Sequence, residues 1–223
     1  MSTQIIKPIF ISLINHNVSP YNVTYRVVLN WFCQAIKVRG IHDIDDVMIN
    51  TNQMTCDQLK NAILKAVGSS RPAIGFYICM HGRQFENGGN YVEYLELNQS
   101  NLYPDTEFTA LINALPTSNL YMFNEVCHSG GFLNSIQLDG TQKSQSGSRS
   151  IIVFNASAKE DKAYLIVKPT TTSGVTSSFL WQYKINPFMQ PEYAVDVINN
   201  HQKYTKRQLA LAHANCIILK TIK

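Results

Sequence analysis

Short apolar runs alternate with segments of helical periodicity along most of the chain. Compact runs rich in β-branched and aromatic residues predict strands. These strands cover residues 8–14, 47–50, 72–79, 119–123, 151–154 and 216–219. Apolar positions three and four residues apart predict helices at residues 21–38, 105–115, 174–183 and 191–201. Strict alternation at residues 91–97 predicts a hairpin strand.

One further helix has a clear start signal. Thr55 is followed three residues later by Gln58, which is a capping-box pattern. The apolar face of this helix is expected to consist of Leu59, Ile63, Leu64 and Val67. Asp105 is expected to cap the helix at residues 105–115 in a similar position.

The order of these elements predicts an α/β fold. Strands separated by helices favour a mostly parallel sheet, here of six strands, with helices on both faces in a three-layer arrangement. The almost uninterrupted apolar run at residues 72–79 is typical of a strand that is buried on both faces. In such sheets, functional sites form where the strands end at their carboxyl edge.

Composition limits the kinds of partner. The chain has 223 residues, of which 45% are apolar and 15% charged, which suits one globular domain. The net charge of +4 is mild, and the cluster of Lys203, Lys206 and Arg207 is more typical of a solvated face than of nucleic-acid binding. The N-terminal apolar run is too short to span a bilayer and lacks a cleavage site. Neither nucleic acid nor a membrane is expected as a partner.

The cysteines indicate a reducing compartment. There are five, and no two of them have the C-x-x-C spacing. An odd number of cysteines in mostly apolar surroundings is typical of an intracellular protein rather than a disulfide scaffold. We therefore expect a cytoplasmic location.

Two strand ends carry reactive side chains. The strand at residues 72–79 is followed by His81 and Gly82, and the strand at residues 119–123 by Cys127. Because parallel neighbours end at the same edge of a sheet, the imidazole and the thiol can approach each other. Such a pair allows a thiolate to form and a leaving amine to be protonated, as a cysteine peptidase requires. The backbone N–H groups of Gly82 and Cys127 are candidates for an oxyanion hole.

Other interpretations of these residues explain less of the pattern. Taken alone, Cys127 would more often be a core residue and His81 a surface residue. A zinc site formed by His81, Cys127 and His128 lacks a fourth ligand at a credible spacing. A flavodoxin-like small-molecule protein would need a glycine-rich phosphate loop after the first strand, and the sequence has none there.

Four segments resemble the caspase-like peptidases, and the metacaspases in particular. Residues 76–82, FYICMHG, are similar to the family's apolar strand that ends in His-Gly. Residues 126–131, VCHSGG, are similar to its Cys element. Residues 156–158, ASA, and 174–177, GVTS, resemble the small-subunit pattern of a strand ending in Ser-Ala and a helix that opens at G-x-x-T/S. The resemblance implies a three-layer caspase-like fold and a cysteine endopeptidase activity.

The resemblance also implies roles for the matching residues. Cys127 would be the nucleophile and His81 the acid/base partner, with no third catalytic carboxylate. Substrate-binding positions would be Glu125, Cys79 and Ser157. Glu125 stands where the family has an Asp that holds a basic P1 side chain, so cleavage after Arg or Lys is expected.

Departures from the family pattern leave alternatives open. A further Asp expected after the first strand has no clear counterpart in this sequence. The legumain-like element also has Glu before its Cys, so specificity for Asn is a second possibility. The caspase signature Q-A-C-R-G is absent, which argues against Asp specificity. A pseudoenzyme that acts as a binding or regulatory protein is the alternative from a different class.

The domain organisation is also taken from the resemblance. Residues 1–138 would be large-subunit-like and residues 151–223 small-subunit-like, with a flexible linker at residues 139–150, all in one domain. Lys143 and Arg149 in that linker are candidate self-cleavage sites. Since the first strand begins within about ten residues of Met1, we expect a bare catalytic core without an N-terminal recruitment domain.

The expectations about cofactors and oligomeric state also come from the resemblance. No cofactor is expected for the chemistry, although metacaspases of this type are often activated by calcium through acidic residues. Glu96 and Asp105 are the matching candidates here, but the dense D-x-D-x-D pattern is missing. The resemblance implies a monomer that acts on peptide and protein substrates.

Overall fold

A computed structural model shows strands and helices alternating along the first part of the chain. It describes residues 6–15, 21–127, 149–155, 165–167, 175–177 and 217–222. The strands are β1 (Ile9–Ile14), β2 (Asp45–Asn50), β3 (Ile74–Cys79), β4 (His81–Asn87), β5 (Asn90–Asn98), β6 (Asn101–Pro104), β7 (Asn119–Glu125), β8 (Arg149–Asn155), β9 (Leu165–Val167), β10 (Val175–Ser177) and β11 (Ile217–Ile222). The helices are α1 (Tyr21–Ala35), α2 (Cys56–Val67) and α3 (Asp105–Ala114).

The main sheet has the strand order β2-β1-β3-β7-β8-β11. Five of its strands are parallel, and β11 runs antiparallel to β8. The predicted α/β class with a parallel sheet is confirmed. Because the parallel strands all end at one edge, the residues that follow β3 and β7 lie at the same rim of the sheet.

The strands β1, β3 and β7 are buried on both faces of the sheet. In β1, Ile9, Ile11 and Leu13 pack in the core layer that includes α2 and α3. Phe10 of the same strand packs in the opposite layer against Val28 and Phe32 of α1. This explains the apolar run without alternation, since a strand covered by helices on both sides has no solvent face.

Helix α2 begins where the capping pattern predicts. The Thr55 hydroxyl accepts a hydrogen bond from the Gln58 backbone N–H at 3.2 Å, and the Thr55 N–H donates to Gln58 Oε1 at 2.9 Å. Leu59, Ile63 and Val67 are buried, as expected. Leu64 is 40% exposed, so its place on the predicted apolar face is wrong.

Two predictions on helices need correction. Asp105 is the first residue of α3 and not its cap: Pro104, with φ −60° and ψ 141°, takes the N-cap position. The segment Val175–Ser177 is strand β10, paired antiparallel with β9, rather than the start of a helix. The β-branched Val and Thr in this segment favour a strand. The rest of that predicted helix, and the one at residues 191–201, lie outside the described residues.

A second sheet, β4-β5-β6, follows directly after β3. His81 and Gly82 are therefore the first residues of β4, not the last of the buried strand. The turn between β4 and β5 contains Gly88 and Gly89, whose φ angles of 59° and 83° favour glycine. Within the described part of the chain, no helix has both the length and the apolarity to cross a bilayer.

Candidate active site

The carboxyl ends of β3 and β7 bring the two predicted reactive residues together. Cys79 is the register partner of Glu125 in the parallel ladder, and both strands end at this pair. His81 and Cys127 each follow this pair by two residues, where β3 and β7 have ended. His81 is the first residue of β4, and Gly82 beside it lies against the Cys127 backbone. His81 is exposed and Cys127 is half-buried, so both are accessible to a substrate.

Gly82 lies in direct contact with the residue that carries the thiol. A Cβ atom on Gly82 would lie 2.1 Å from the carbonyl oxygen of Cys127 and 2.6 Å from Cγ1 of Val126. Both distances are far below van der Waals contact, and the first involves backbone that cannot rotate away. Only glycine permits this approach, so the neighbour that Gly82 accommodates is the Cys127 backbone itself. The backbone contact holds the segment after β3 against the segment after β7.

Next to these residues lies a buried polar cluster of Tyr77, Cys79 and Glu125. Their exposed fractions are 1%, 6% and 6%. The Tyr77 hydroxyl donates a hydrogen bond to Glu125 Oε2 at 2.5 Å. Glu125 is therefore held at the strand end by a side chain from the neighbouring strand. Tyr77 is a residue that the sequence reasoning missed, although its position two residues before Cys79 places both on one strand face.

The surroundings of this cluster raise the pKa of two of its groups. Burial raises the pKa of the Cys79 thiol to about 12, and the negative charge of Glu125 adds to the shift. Burial, followed by the same charge, raises the pKa of the Tyr77 hydroxyl well above its ordinary value. Both groups therefore keep their protons at neutral pH. Cys79 is accordingly a poor nucleophile, because the thiolate is the reactive form.

Two of the three proposed substrate-binding residues lie in the described part of the chain. Glu125 and Cys79 are register partners at the end of the sheet, two residues before Cys127 and His81 respectively. Ser157 lies outside the described residues, as does His128, the third candidate ligand of the zinc alternative. The assignment of these residues to a substrate pocket stays a prediction.

The structure shows the surroundings of the two calcium candidates, Glu96 and Asp105. Both carboxylate oxygens of Glu96 are held by Arg83, with Nε to Oε2 at 2.7 Å and Nη2 to Oε1 at 2.9 Å. Asp105 is buried at the start of α3. Residues 21–127 and the shorter described segments contain no group of three or more His, Cys, Asp or Glu that could hold a metal ion. Hard cations need several oxygen ligands, and a calcium site that includes these two residues stays a prediction.

The two candidate self-cleavage residues fall in different places. Arg149 is the first residue of β8 and is the register partner of Ile222 in β11. It lies in the sheet, so the flexible linker cannot extend to residue 150, because cross-strand pairing restrains the backbone there. Lys143 lies outside the described residues.

Comparisons with known proteins support the fold but not an activity. No known family model matches the chain, and no curated protein matches its sequence. The crystal structure of protein GSU0716 from Geobacter sulfurreducens aligns with a TM-score of 0.51 and 12% identity, over 96% of this chain and 93% of that chain. The initiator caspase Dronc of Drosophila aligns with a TM-score of 0.41 and 11% identity, over 79% of this chain and 61% of that chain. The first likeness shows a shared fold alone, and the second is too distant to carry an argument.

Proposed function

We propose that the protein is a cysteine endopeptidase of caspase-like architecture and metacaspase type. Cys127 is the nucleophile and His81 the acid/base partner. The observation that supports this most strongly is the contact between Gly82 and the Cys127 carbonyl, which holds the His and Cys segments against each other. The mostly parallel sheet with helices on both faces is the architecture that the resemblance to metacaspases implies.

The proposed reaction uses these groups in a fixed order. His81 takes the proton of the Cys127 thiol, and the thiolate attacks the carbonyl carbon of the scissile peptide bond. The backbone N–H groups of Gly82 and Cys127 stabilise the oxyanion that forms. His81 then gives its proton to the leaving amine, which breaks the C–N bond. Water, deprotonated by His81, hydrolyses the thioester and releases the second product.

We further propose that Glu125 selects a basic P1 side chain. Its carboxylate lies at the strand end that precedes Cys127, and the Tyr77 hydroxyl holds one of its oxygens. An Arg or Lys side chain that reaches this carboxylate would form a charge-assisted hydrogen bond. Cys79 and Ser157 complete the proposed pocket. The alternative is an Asn-specific enzyme, in which a neutral amide would bind at the same position.

The remaining features of the proposal come from the resemblance. The enzyme acts as a cytoplasmic monomer on peptides and proteins, and its chemistry needs no cofactor. Self-cleavage takes place at Lys143 rather than at Arg149, because Arg149 lies within a paired strand. A protease needs an extended, accessible segment, and strand pairing opposes this.

The decisive experiment is an assay with fluorogenic peptides that end in Arg, Lys, Asn or Asp at P1. It compares the wild type with Cys127→Ala and His81→Ala, with and without calcium. Cys33→Ala is the matched control, since Cys33 is a buried core thiol of α1. We expect turnover of basic peptides that both active-site variants lose and the control keeps. No turnover, with Cys127 inert to iodoacetamide, would indicate a binding protein instead.

The specificity proposal has its own test. Glu125→Gln should lower kcat/KM for Arg and Lys peptides by about tenfold or more, because an ionic hydrogen bond is lost. Glu93→Gln is the control, as Glu93 is equally buried but lies on the β5 strand, away from the proposed pocket. A preference for Asn peptides that survives Glu125→Gln would support the alternative specificity.

A further inference from the structure

We propose that the Arg83–Glu96 ion pair positions the imidazole of His81 for proton transfer. This inference rests on the proposed peptidase function and extends it to two residues that the chemistry does not use directly. Both are positioning residues, because they act through His81 and not on the substrate. Their arrangement follows from the antiparallel ladder between β4 and β5.

The register places Glu96 opposite His81. The two residues are Cα partners in the β4–β5 ladder. Directly opposed residues in an antiparallel pair point to the same face, with Cβ atoms about 4.5–5.5 Å apart. Arg83 follows His81 by two residues in β4 and therefore lies on that face too. The three side chains form one contiguous row on the hairpin surface.

The ion pair has the geometry of a rigid fork. Two parallel contacts of 2.7 and 2.9 Å join the Arg83 guanidinium to the Glu96 carboxylate. Bidentate pairs of this kind restrict both side chains more than a single contact does. The Glu96 side chain is only 10% exposed, whereas that of Arg83 is 47% exposed. Glu96 is therefore the fixed member of the row.

A second contact ties Glu96 to the main sheet. Its backbone carbonyl accepts a hydrogen bond from Nδ2 of Asn15 at 2.6 Å. Asn15 directly follows β1, and its own N–H donates to the Cys79 carbonyl at the end of β3. The residue opposite His81 is thus anchored to the two strands next to the proposed active site. A displacement of Glu96 would therefore change the surroundings of His81.

The position of His81 explains why such an anchor matters. His81 is exposed at the start of an edge strand, so close core packing does not select its rotamer. A half-exposed ion pair adds little to global stability. Its expected effect is local: it gives the imidazole a fixed neighbour at the opposing position of the β4–β5 hairpin. Proton transfer depends strongly on such alignment, and a 1 Å error costs about a hundredfold in rate.

The test compares Arg83→Gln and Glu96→Gln with the wild type. We expect kcat on the best peptide to fall about tenfold in each variant, with KM changed less than twofold. The charge-reversed double variant Arg83→Glu/Glu96→Arg should regain most of the loss. Gln84→Ala is the matched control. It removes a 3.0 Å cross-strand hydrogen bond to Glu93 on the opposite face of the same hairpin, and should leave kcat unchanged.

A second measurement separates this inference from the proposed function. In NMR spectra of the inactive Cys127→Ala protein, the His81 ring should show one set of signals and cross-peaks to the Glu96 side chain. Introducing Arg83→Gln into the Cys127→Ala protein should broaden or split the signals of the His81 ring. If the wild type shows no turnover, the proposed peptidase function is refuted. The signals of the His81 ring still show whether the ion pair positions the imidazole. Unchanged kcat and unchanged ring signals in Arg83→Gln, or an equal loss in Gln84→Ala, would overturn the positioning role.

Discussion

Replacing Gly82 with alanine should separate the two segments that carry the proposed catalytic pair. The added methyl group would lie 2.1 Å from the Cys127 carbonyl oxygen and 2.6 Å from a Val126 methyl group. The Val126 side chain can adjust, but the backbone oxygen cannot move without moving Cys127. The substitution therefore acts on the site itself.

The size of the effect follows from the required displacement. Contacts of a Cβ atom under 3.0 Å are essentially never observed, so the segments must move apart by about 1 Å. A misplacement of that size lowers the rate about a hundredfold, equivalent to roughly 2.7 kcal/mol in activation free energy. Overpacking should also reduce the free energy of unfolding by about 1–3 kcal/mol. The loss of activity should thus exceed what a loss of folded protein explains.

The assay measures kcat/KM and the urea midpoint for Gly82→Ala beside Gly75→Ala. Gly75 is a suitable control because a methyl group there would meet the Phe10 and Phe32 rings, at 2.6 and 2.8 Å, in the core. Both variants should lose comparable stability, but only Gly82→Ala should lose activity per folded molecule. Activity of Gly82→Ala within threefold of the wild type would refute the reasoning. It would mean that the contact does not set the distance between His81 and Cys127.

Three other predictions concern stability. Below pH 9.0 the Cys79 thiol is protonated in both the folded and the unfolded chain, but above it only the unfolded thiol ionises. The folded state should therefore lose about 1 kcal/mol from this group between pH 9 and 10, and Cys79→Ala should show a correspondingly smaller loss in urea titrations. Thr55→Ala should lower the free energy of unfolding by about 1 kcal/mol through loss of the cap; an unchanged urea midpoint would contradict this. Arg71→Ala should lower it by about 2 kcal/mol, because the guanidinium bonds both the Asp45 carboxylate and three backbone carbonyls. A free energy of unfolding in Arg71→Lys equal to that of the wild type would indicate that charge alone suffices.

Some features of the fold could be predicted because they depend on local pattern. The strand at residues 72–79 is recognisable from its apolar run, and the capping box at Thr55 from two residues three positions apart. Both patterns involve residues a few positions apart, and burial or hydrogen bonding directly stabilises the elements that they form. The local pattern did not suffice to predict the structure of Val175–Ser177. Its β-branched residues fit a strand, but the motif resemblance favoured a helix, and the pairing with β9 decided the outcome.

The candidate site shows the same division. The sequence alone determined that a histidine and a cysteine each follow an apolar strand, because these patterns are contiguous in the chain. It did not determine that Gly82 contacts the Cys127 carbonyl, or that Tyr77 donates to Glu125. These contacts join segments more than forty residues apart. They depend on the parallel register of β3 and β7, which no local pattern specifies.

The tertiary structure also decided the neighbours of Glu96. From the sequence, it is an acidic residue in an alternating strand and a plausible ligand for calcium. Its actual neighbours depend on which residue of β4 pairs with it, and the hairpin turn at Gly88 and Gly89 sets that register. Because a one-residue shift would move every side chain to the other face, the pairing with Arg83 and the position opposite His81 exist only in the folded chain.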